Sequence, residues 1–450
     1  MYLLNNYFIM RKSTISFLLI VCVLSLCHDT IYARSIKKRK VKKLFKRSQI
    51  VNDHFTGFAL YDLDEHKMIY ELNADKYFTP ASNTKLFTFY TCLKMLGDSI
   101  PALRYQTRGD SLIFWGTGDP SFLHSDLKGV NGLNFLKNSN KQLFYSPGNY
   151  TGELFGAGWA WDDYNDYYQA EITALPVEDN VALLYADQDG NMQVRPNYLK
   201  RFLNADINYR PKQFKVKRDV ISNNFVYPAG DIPVNYKQEI PWKTSLQLTM
   251  ALLQDTLKKQ VTLLQEPMTA DAKTVYNTKA DSVYRRMLQP SDNFIAEQLL
   301  LVCSSLKFST LNTDSVINYS KAHFLNDLPD VPQWVDGSGL SRFNLFTPRD
   351  IVALLLKIQD EVKDENLLHS MMPIGGVAGT IKSAYKTDNG QPFVWAKTGS
   401  LSNNHNQSGY IVTRKGKRLA FAFMNNNFTR STREIRDEMV RIMTYIHEEF

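Results

Sequence analysis

The chain has 450 residues, more than one ordinary domain holds, so we expect at least two folded units. Apolar residues make up 44% and aromatic residues 12%, which supports a large buried core and excludes a disordered chain. The net charge of +8 comes largely from nine basic side chains within residues 34–47, where no acidic residue stands. The rest of the chain is slightly acidic. The basic segment could bind nucleic acid, but an export signal at the N-terminus argues against that.

The first 33 residues have the pattern of an export signal. Arg11 and Lys12 precede an apolar stretch over residues 15–27, and Ala33 offers a cleavage point. Since this stretch is shorter than the roughly 20 residues of a membrane-spanning helix, we predict a secreted, periplasmic protein. A retained N-terminal anchor is the alternative.

Two details of this N-terminus stay open. Met10 stands directly before the basic pair and is an alternative start. Cys27 is a candidate lipid-anchor site, but Leu26 is bulky where a lipoprotein signal has a small residue. Residues 34–49 are predicted to be a basic linker that is solvated or weakly attracted to anionic lipid or wall polymer.

Two strands and a helix are predicted next. Residues 55–61 and 67–72 have strand character around a polar turn. A helix follows Pro80, has apolar residues at helical spacing, and ends at Gly97.

The middle of the chain has a different texture. Short strand-like runs and turn clusters fill residues 105–235, which predicts an inserted β-rich module. Helical patterns return over residues 245–258 and 280–306.

Strands and a helix also close the chain. Residues 393–397 are predicted to form a strand, and residues 409–413 and 418–424 a hairpin. One face of a last amphipathic helix carries Ile435, Met439, Ile442, Met443 and Ile446. We therefore expect one sheet assembled from both ends of the chain.

The cysteine and histidine residues bear on two questions, whether the protein has a disulfide and whether it binds a metal. Cys92 and Cys303 follow the signal and are either a disulfide or two buried thiols. The sequence has no C-x-x-C, H-E-x-x-H or clustered histidine and cysteine spacing, so we predict no metal and no cofactor.

Three short motifs carry chemistry together. S-x-x-K at Ser82 recurs at four other serines and S-x-N at Ser291 at two others, so each alone is also an ordinary cap or turn. Lys397-Thr398-Gly399 occurs once. In this order the three form the set shared by penicillin-binding proteins and class A β-lactamases.

The residue types suit acyl transfer. One helical turn places Ser82 and Lys85 on the same face, and a lysine that is desolvated and near Lys397 has a lowered pKa and can take the serine proton. The helix N-terminus adds positive potential where an oxyanion develops. The strand that carries K-T-G can hold an extended peptide.

Further motifs narrow the family. GTGDPS, GAGWAWDD, DGSGLSR, GGVAGT, AKTGSL and SGYI stand in that order along the chain. Together they resemble peptidase family S13, the D-alanyl-D-alanine carboxypeptidases and endopeptidases of the penicillin-binding protein 4 type. The resemblance implies an α/β (α+β) serine β-lactamase/DD-peptidase-like domain with an antiparallel sheet flanked by helices. That catalytic domain would comprise residues 50–104 and 236–450, with residues 105–235 inserted.

The resemblance also implies roles for the motif residues. Ser82 matches the acylated nucleophile, Lys85 its general base, Ser291 the proton relay, and Asn293 the residue that holds the substrate amide. The substrates would be peptidoglycan stem peptides and cross-links, with β-lactam antibiotics as covalent inhibitors.

Other positions match substrate contacts. Lys397 and Thr398 match groups that bind the terminal carboxylate, and the N–H groups of Ser82 and Ser400 would form the oxyanion hole. Arg342 and Asp163 match contacts to the free end of the peptide's diamino acid, or else form an ion pair and a surface turn.

One motif residue is expected to have a structural role, one segment departs from the family pattern, and two other functions stay open. Asp336 is expected to order its own glycine-rich turn. ALPVEDN departs from the serine- and asparagine-rich stretch of the family. A β-lactamase and a catalytically silent peptidoglycan-binding or penicillin-sensing module are the alternatives.

Overall fold

A computed structural model describes residues 38–127, 129–387 and 389–450, so the predicted signal lies outside the described residues. The helices are residues 38–47 (α1), Lys85–Met95 (α2), Asn131–Asn138 (α3), Leu246–Leu257 (α4), Ala280–Leu288 (α5), Asn293–Lys307 (α6), Thr313–His323 (α7), Pro348–Val362 (α8), Glu365–Met371 (α9) and Thr432–Glu449 (α10). Within the described ranges, no helix has both the length and the apolarity to cross a bilayer.

The strands alternate with these helices. They are Phe55–Asp62 (β1), Lys67–Leu72 (β2), Ser99–Arg108 (β3), Ser111–Gly116 (β4), Gln142–Tyr145 (β5), Val181–Ala186 (β6), Met192–Arg195 (β7), Leu203–Asp206 (β8), Lys217–Arg218 (β9), Phe225–Pro228 (β10), Lys237–Pro241 (β11), Val261–Leu263 (β12), Lys273–Lys279 (β13), Val394–Leu401 (β14), Asn404–Val412 (β15) and Arg418–Asn426 (β16).

The main sheet is antiparallel and is assembled from both ends of the chain, in the order β14-β15-β16-β1-β2. Its side chains alternate between two faces, so the cross-strand partners Phe58 and Phe423 lie on one face and Ala59 and Ala422 on the other. Helices α1 and α10 cover the first face, and α2, α6 and α8 cover the second. The predicted sheet and its closing amphipathic helix are confirmed.

Helix α2 runs through the core of the second face. Its Cys92 Sγ lies 3.8 Å from Cys303 Sγ of α6, and both side chains are free, buried thiols. Of the two alternatives that the sequence left open, the structure therefore has the thiol pair.

The inserted part is wider than the predicted 105–235. Strand β3 already pairs with β13 in a second five-stranded sheet, ordered β12-β5-β4-β3-β13. Helix α4 packs in the cores of this module, not on the main sheet. The Ala280 N–H donates to the Asp98 carbonyl at 2.9 Å, which joins the two ends of the insertion. Local periodicity could not show these bounds, because β3 and β13 are far apart in sequence.

The basic segment is helical where the structure describes it. Val41 and Phe45 of α1 are buried in the cluster that includes α10, and the Phe45 ring lies 4.7 Å from the Phe58 ring. The linker predicted for residues 34–49 is wrong for this part. The prediction relied on the density of cations and overlooked two apolar residues, four apart, that share one helix face.

Candidate active site

Ser82 lies in the 3-10 turn Ala81–Thr84, which leads directly into α2. Lys85 Nζ donates to Ser82 Oγ at 3.0 Å, in agreement with the predicted placement on one helical turn. Ala81 has a φ of +49°, a left-handed conformation that costs a non-glycine residue roughly 1–3 kcal/mol. The surrounding packing must therefore hold the turn that presents Ser82.

Lys85 is fully buried and has three acceptors. Besides Ser82, its Nζ donates to Asn293 Oδ1 and to the Ser338 carbonyl, both at 2.7 Å. Burial lowers the pKa of Lys85 to about 8, although nearby carboxylates, Glu297 first among them, act in the opposite direction. A lysine with this pKa can be neutral at mildly alkaline pH and accept a proton from its serine neighbour.

The S-x-N motif is the loop between α5 and α6. Ser291 has a φ of +69°, a second strained position at this site. Asp292 caps α6 by accepting the Ile295 N–H at 3.0 Å, and Asn293 is the first residue of the helix. The helical pattern predicted over residues 280–306 is thus divided at the motif.

Lys397 joins the K-T-G strand to this loop. It is fully buried on β14, and its Nζ donates to Ser291 Oγ and to the Thr398 carbonyl, both at 2.7 Å. Burial and the positive charge of Lys85 lower the pKa of Lys397. The five predicted catalytic residues therefore form two hydrogen-bonded groups at one place.

Two hydroxyl groups follow along β14. Thr398 Oγ1 donates to Thr380 Oγ1 at 2.7 Å, and Ser400 Oγ lies 2.8 Å from His405 Nδ1. Burial lowers the pKa of His405 to about 4, so its imidazole is neutral at physiological pH. Both residues line the cleft beside Ser82.

The K-T-G glycine permits close approach of this strand to the serine turn. A Cβ atom on Gly399 would lie 2.3 Å from the Pro80 carbonyl oxygen and 3.0 Å from the Ser82 nitrogen. β14 is the edge strand of the main sheet, the position from which a strand can pair with an extended ligand.

A cleft of about 600 Å³ lies over these groups. Its walls include Ser82, Ser291, Asn293, Thr398 and Ser400, together with Arg342 and Asp163. Burial raises the pKa of Asp163, and the charge of Arg342 opposes that shift. Arg342 also reaches the Ser402 carbonyl at 3.5 Å. The structure therefore brings every predicted site residue to the cleft or directly beneath it.

Asp336 has the structural position expected for it. One carboxylate oxygen accepts the Gly339 N–H at 2.8 Å, and the other accepts the Ser341 N–H at 2.6 Å and the Trp159 indole N–H at 2.9 Å. It is buried and orders the glycine-rich turn.

Three residues of the site were missed. Thr380 belongs to GGVAGT, which served only to support the family resemblance. The Tyr168 carbonyl accepts from Asn293 Nδ2 at 3.0 Å, and a main-chain contact of this kind leaves no sequence signal. Glu297 stands one helical turn after Asn293, a spacing that could have directed attention to it.

The chain is similar to proteins of one family over most of its length. The sequence model of the D-Ala-D-Ala carboxypeptidase 3 (S13) family matches residues 38–446. The D-alanyl-D-alanine carboxypeptidase DacB of Haemophilus influenzae is 25% identical over 425 residues, which cover 83% of this chain and 85% of that protein. Penicillin-sensitive carboxypeptidase A of Dictyostelium discoideum is 23% identical over 449 residues, 84% of each chain.

Solved structures show the same fold. The crystal structure of penicillin-binding protein 4 (dacB) from Haemophilus influenzae has a TM-score of 0.68 and 20% identity, and the match covers 90% of this chain and 98% of that one. The same protein complexed with a β-lactam gives a TM-score of 0.63 and 19% identity. The predicted fold class is confirmed. Since the family model spans most of the sequence, the chain belongs to the D-Ala-D-Ala carboxypeptidase (S13) family and is a serine-type carboxypeptidase.

Proposed function

We propose that Ser82 is acylated by peptides that end in D-Ala-D-Ala, with Lys85 as its general base. The observation that carries this assignment is the 3.0 Å bond from buried Lys85 to Ser82 Oγ. Neutral Lys85 takes the hydroxyl proton while Oγ attacks the carbonyl carbon of the penultimate D-alanine. The bond to the terminal D-alanine breaks, and water then hydrolyses the ester on Ser82.

Ser291 passes a proton to the departing amine. Its Oγ is already bonded to Lys397 Nζ at 2.7 Å, so a path for that proton exists beside the scissile bond. Asn293 bonds Lys85 through Oδ1 and the Tyr168 carbonyl through Nδ2, which fixes its amide orientation. In this assignment Asn293 holds the substrate amide from the wall of the cleft.

Thr398 and Ser400 bind the terminal carboxylate of the substrate, or that of a β-lactam. Both line the cleft, whereas Lys397 is fully buried below it. We therefore assign Lys397 two tasks, which are to hold Ser291 and to supply positive potential beneath the carboxylate. The N–H groups of Ser82 and Ser400 stabilise the oxyanion.

Arg342 and Asp163 form a subsite for the free end of the diamino acid. A guanidinium and a carboxylate on the walls of one cleft complement a group that carries both an ammonium and a carboxylate. The edge of β14 adds main-chain bonds to the peptide between this subsite and Ser82.

Product analysis tests the proposal. Wild-type protein is expected to release D-alanine from a pentapeptide, to form a stable fluorescent-penicillin adduct, and to cleave cross-linked muropeptides, with Ser82→Ala as the blank. Rapid turnover of the penicillin would indicate a β-lactamase. Absence of both adduct and D-alanine would indicate a silent binding module.

The acylation rate is expected to rise with pH through about 8. Burial lowers the pKa of Lys85 to that value, and only the neutral amine accepts the Ser82 proton, so the rate falls as Lys85 becomes protonated. Second-order rate constants for penicillin acylation, measured from about pH 6 to about pH 10, would show this rise, which is the acid limb of the pH profile. A flat profile would contradict the role of Lys85.

We also propose that the protein is exported and associates weakly with anionic surfaces. The pattern of residues 1–33 supports export. The exposed basic side chains of α1 support the association, because the helix is anchored by its apolar face and presents its cations outward.

A further inference from the structure

Glu297 is a buried carboxyl group that the catalytic roles above do not use. It lies on α6, one helical turn after Asn293, and is almost completely buried. One of its oxygens accepts the Gly337 N–H at 2.9 Å and the other accepts the Ser338 N–H at 2.7 Å. Both oxygens are therefore occupied by donors from one short loop.

That loop is held from two sides. Glu297 binds its first part, and Asp336 binds the N–H groups of Gly339 and Ser341. A Cβ atom on Gly337 would lie 2.6 Å from the Ala296 carbonyl oxygen, so the loop is pressed directly against α6.

The same loop supplies an acceptor to Lys85. The Ser338 N–H donates to Glu297, and the Ser338 carbonyl accepts from Lys85 Nζ at 2.7 Å. One peptide segment thus connects the buried carboxyl group to the buried amine. Any shift of Glu297 would move one of the two other acceptors that hold this amine beside Ser82.

We propose that Glu297 is a positioning residue that aims Lys85 at Ser82 through Ser338. This inference rests on the proposed roles of Ser82 and Lys85.

Other charged groups also face this pair. Helix α7 contributes the uncharged side chains Val316, Ile317 and Ser320 to its buried side. The charged side chains around Lys85 and Glu297 are Lys397 of β14, Asp336 of the glycine-rich loop and Asp292 at the start of α6. Because Arg286 pairs with Asp292 at 3.1 Å, the remaining acids nearest Lys85 are Glu297 and Asp336.

These charges determine the direction in which the pKa of Lys85 changes when the charge of Glu297 is removed. Burial and the charge of Asp336 raise the pKa of Glu297, and the two N–H bonds oppose that shift. The pKa of Glu297 is thereby raised to about 8, so its negative charge is present at the mildly alkaline pH at which Lys85 loses its proton. Ionised Glu297 in turn raises the pKa of Lys85. Removal of the negative charge should therefore release the base at lower pH.

Three variants test this inference through the pH profile of penicillin acylation. Glu297→Gln is expected to move the acid limb roughly one pH unit lower and to reduce the plateau, since its NH2 group meets an N–H donor. Glu297→Asp keeps the charge on a shorter side chain, so the limb should stay while the plateau falls. Asp350→Asn removes a buried carboxylate at the start of α8, which accepts the Asp330 N–H, and should leave the limb in place.

The outcomes are separable. An unmoved or higher acid limb in a folded Glu297→Gln protein would overturn the inference and leave Glu297 a structural residue only. An equal limb shift in Asp350→Asn would overturn it as well, because the effect would then be general. The proposed function is judged independently, by whether the wild type forms an adduct that Ser82→Ala does not.

Discussion

Lys85→Met is expected to slow acylation of Ser82 by penicillin at least about 100-fold, because a positioned general base contributes roughly 10²–10⁴ in rate. Methionine is long and apolar enough for the fully buried site, so the substitution removes the base without opening a large cavity. It leaves the Asn293 amide oxygen and the Ser338 carbonyl without the lysine donor. That loss should cost about 1–3 kcal/mol for each buried acceptor and lower the melting temperature.

The matched control is Lys94→Met. Lys94 stands on the same helix, is partly exposed, and pairs with Glu361 at 2.8 Å. Since an exposed pair contributes about 0–1 kcal/mol, both acylation and melting temperature should stay near those of the wild type. Stopped-flow acylation combined with thermal melts separates the two effects. A folded Lys85→Met protein that acylates at the wild-type rate would exclude Lys85 as the base.

The sequence predicts those parts of the fold that depend on local patterns. The strand character of β1 and β2 and the helical spacing in α10 are properties of short segments, and both are confirmed. The bounds of the insertion depend on pairing between β3 and β13, which no local window contains. The docking of α1 likewise depends on the distant partners of Phe45 in the main sheet.

The contacts of the candidate active site likewise divide into those that follow from local sequence and those that depend on distant parts of the chain. Ser82 and Lys85 are one helical turn apart, so their contact follows from the sequence once the helix is placed. The bond from Lys397 to Ser291 depends on how β14 meets the S-x-N loop, and only the ordered motif set indicated it. Glu297 accepts hydrogen bonds from backbone N–H groups, which every residue type except proline supplies, so its partners could not be read from side-chain identities.

Gly399→Ala is expected to reduce the rate of acylation by about 100-fold, because it displaces the groups around Ser82 without removing any of them. The new Cβ atom would lie 2.3 Å from the Pro80 carbonyl oxygen, 2.9 Å from the Asn83 nitrogen and 3.0 Å from the Ser82 nitrogen. These are backbone atoms, so no side-chain rotation relieves the overlap. Either β14 or the turn that carries Ser82 must move, and a shift of about 1 Å at a reacting centre can cost 10²-fold.

Gly97→Ala is the control for this prediction, since it makes the same chemical change at a glycine with no atom within 4 Å of the added carbon. It should leave acylation unchanged, whereas Gly399→Ala should also lose roughly 1–3 kcal/mol of stability from overpacking. Acylation rates and urea unfolding of both variants measure the two effects. Wild-type acylation by Gly399→Ala would mean that the close approach of β14 to the serine turn is not required. In that case the K-T-G glycine would need an explanation other than the space beside Ser82.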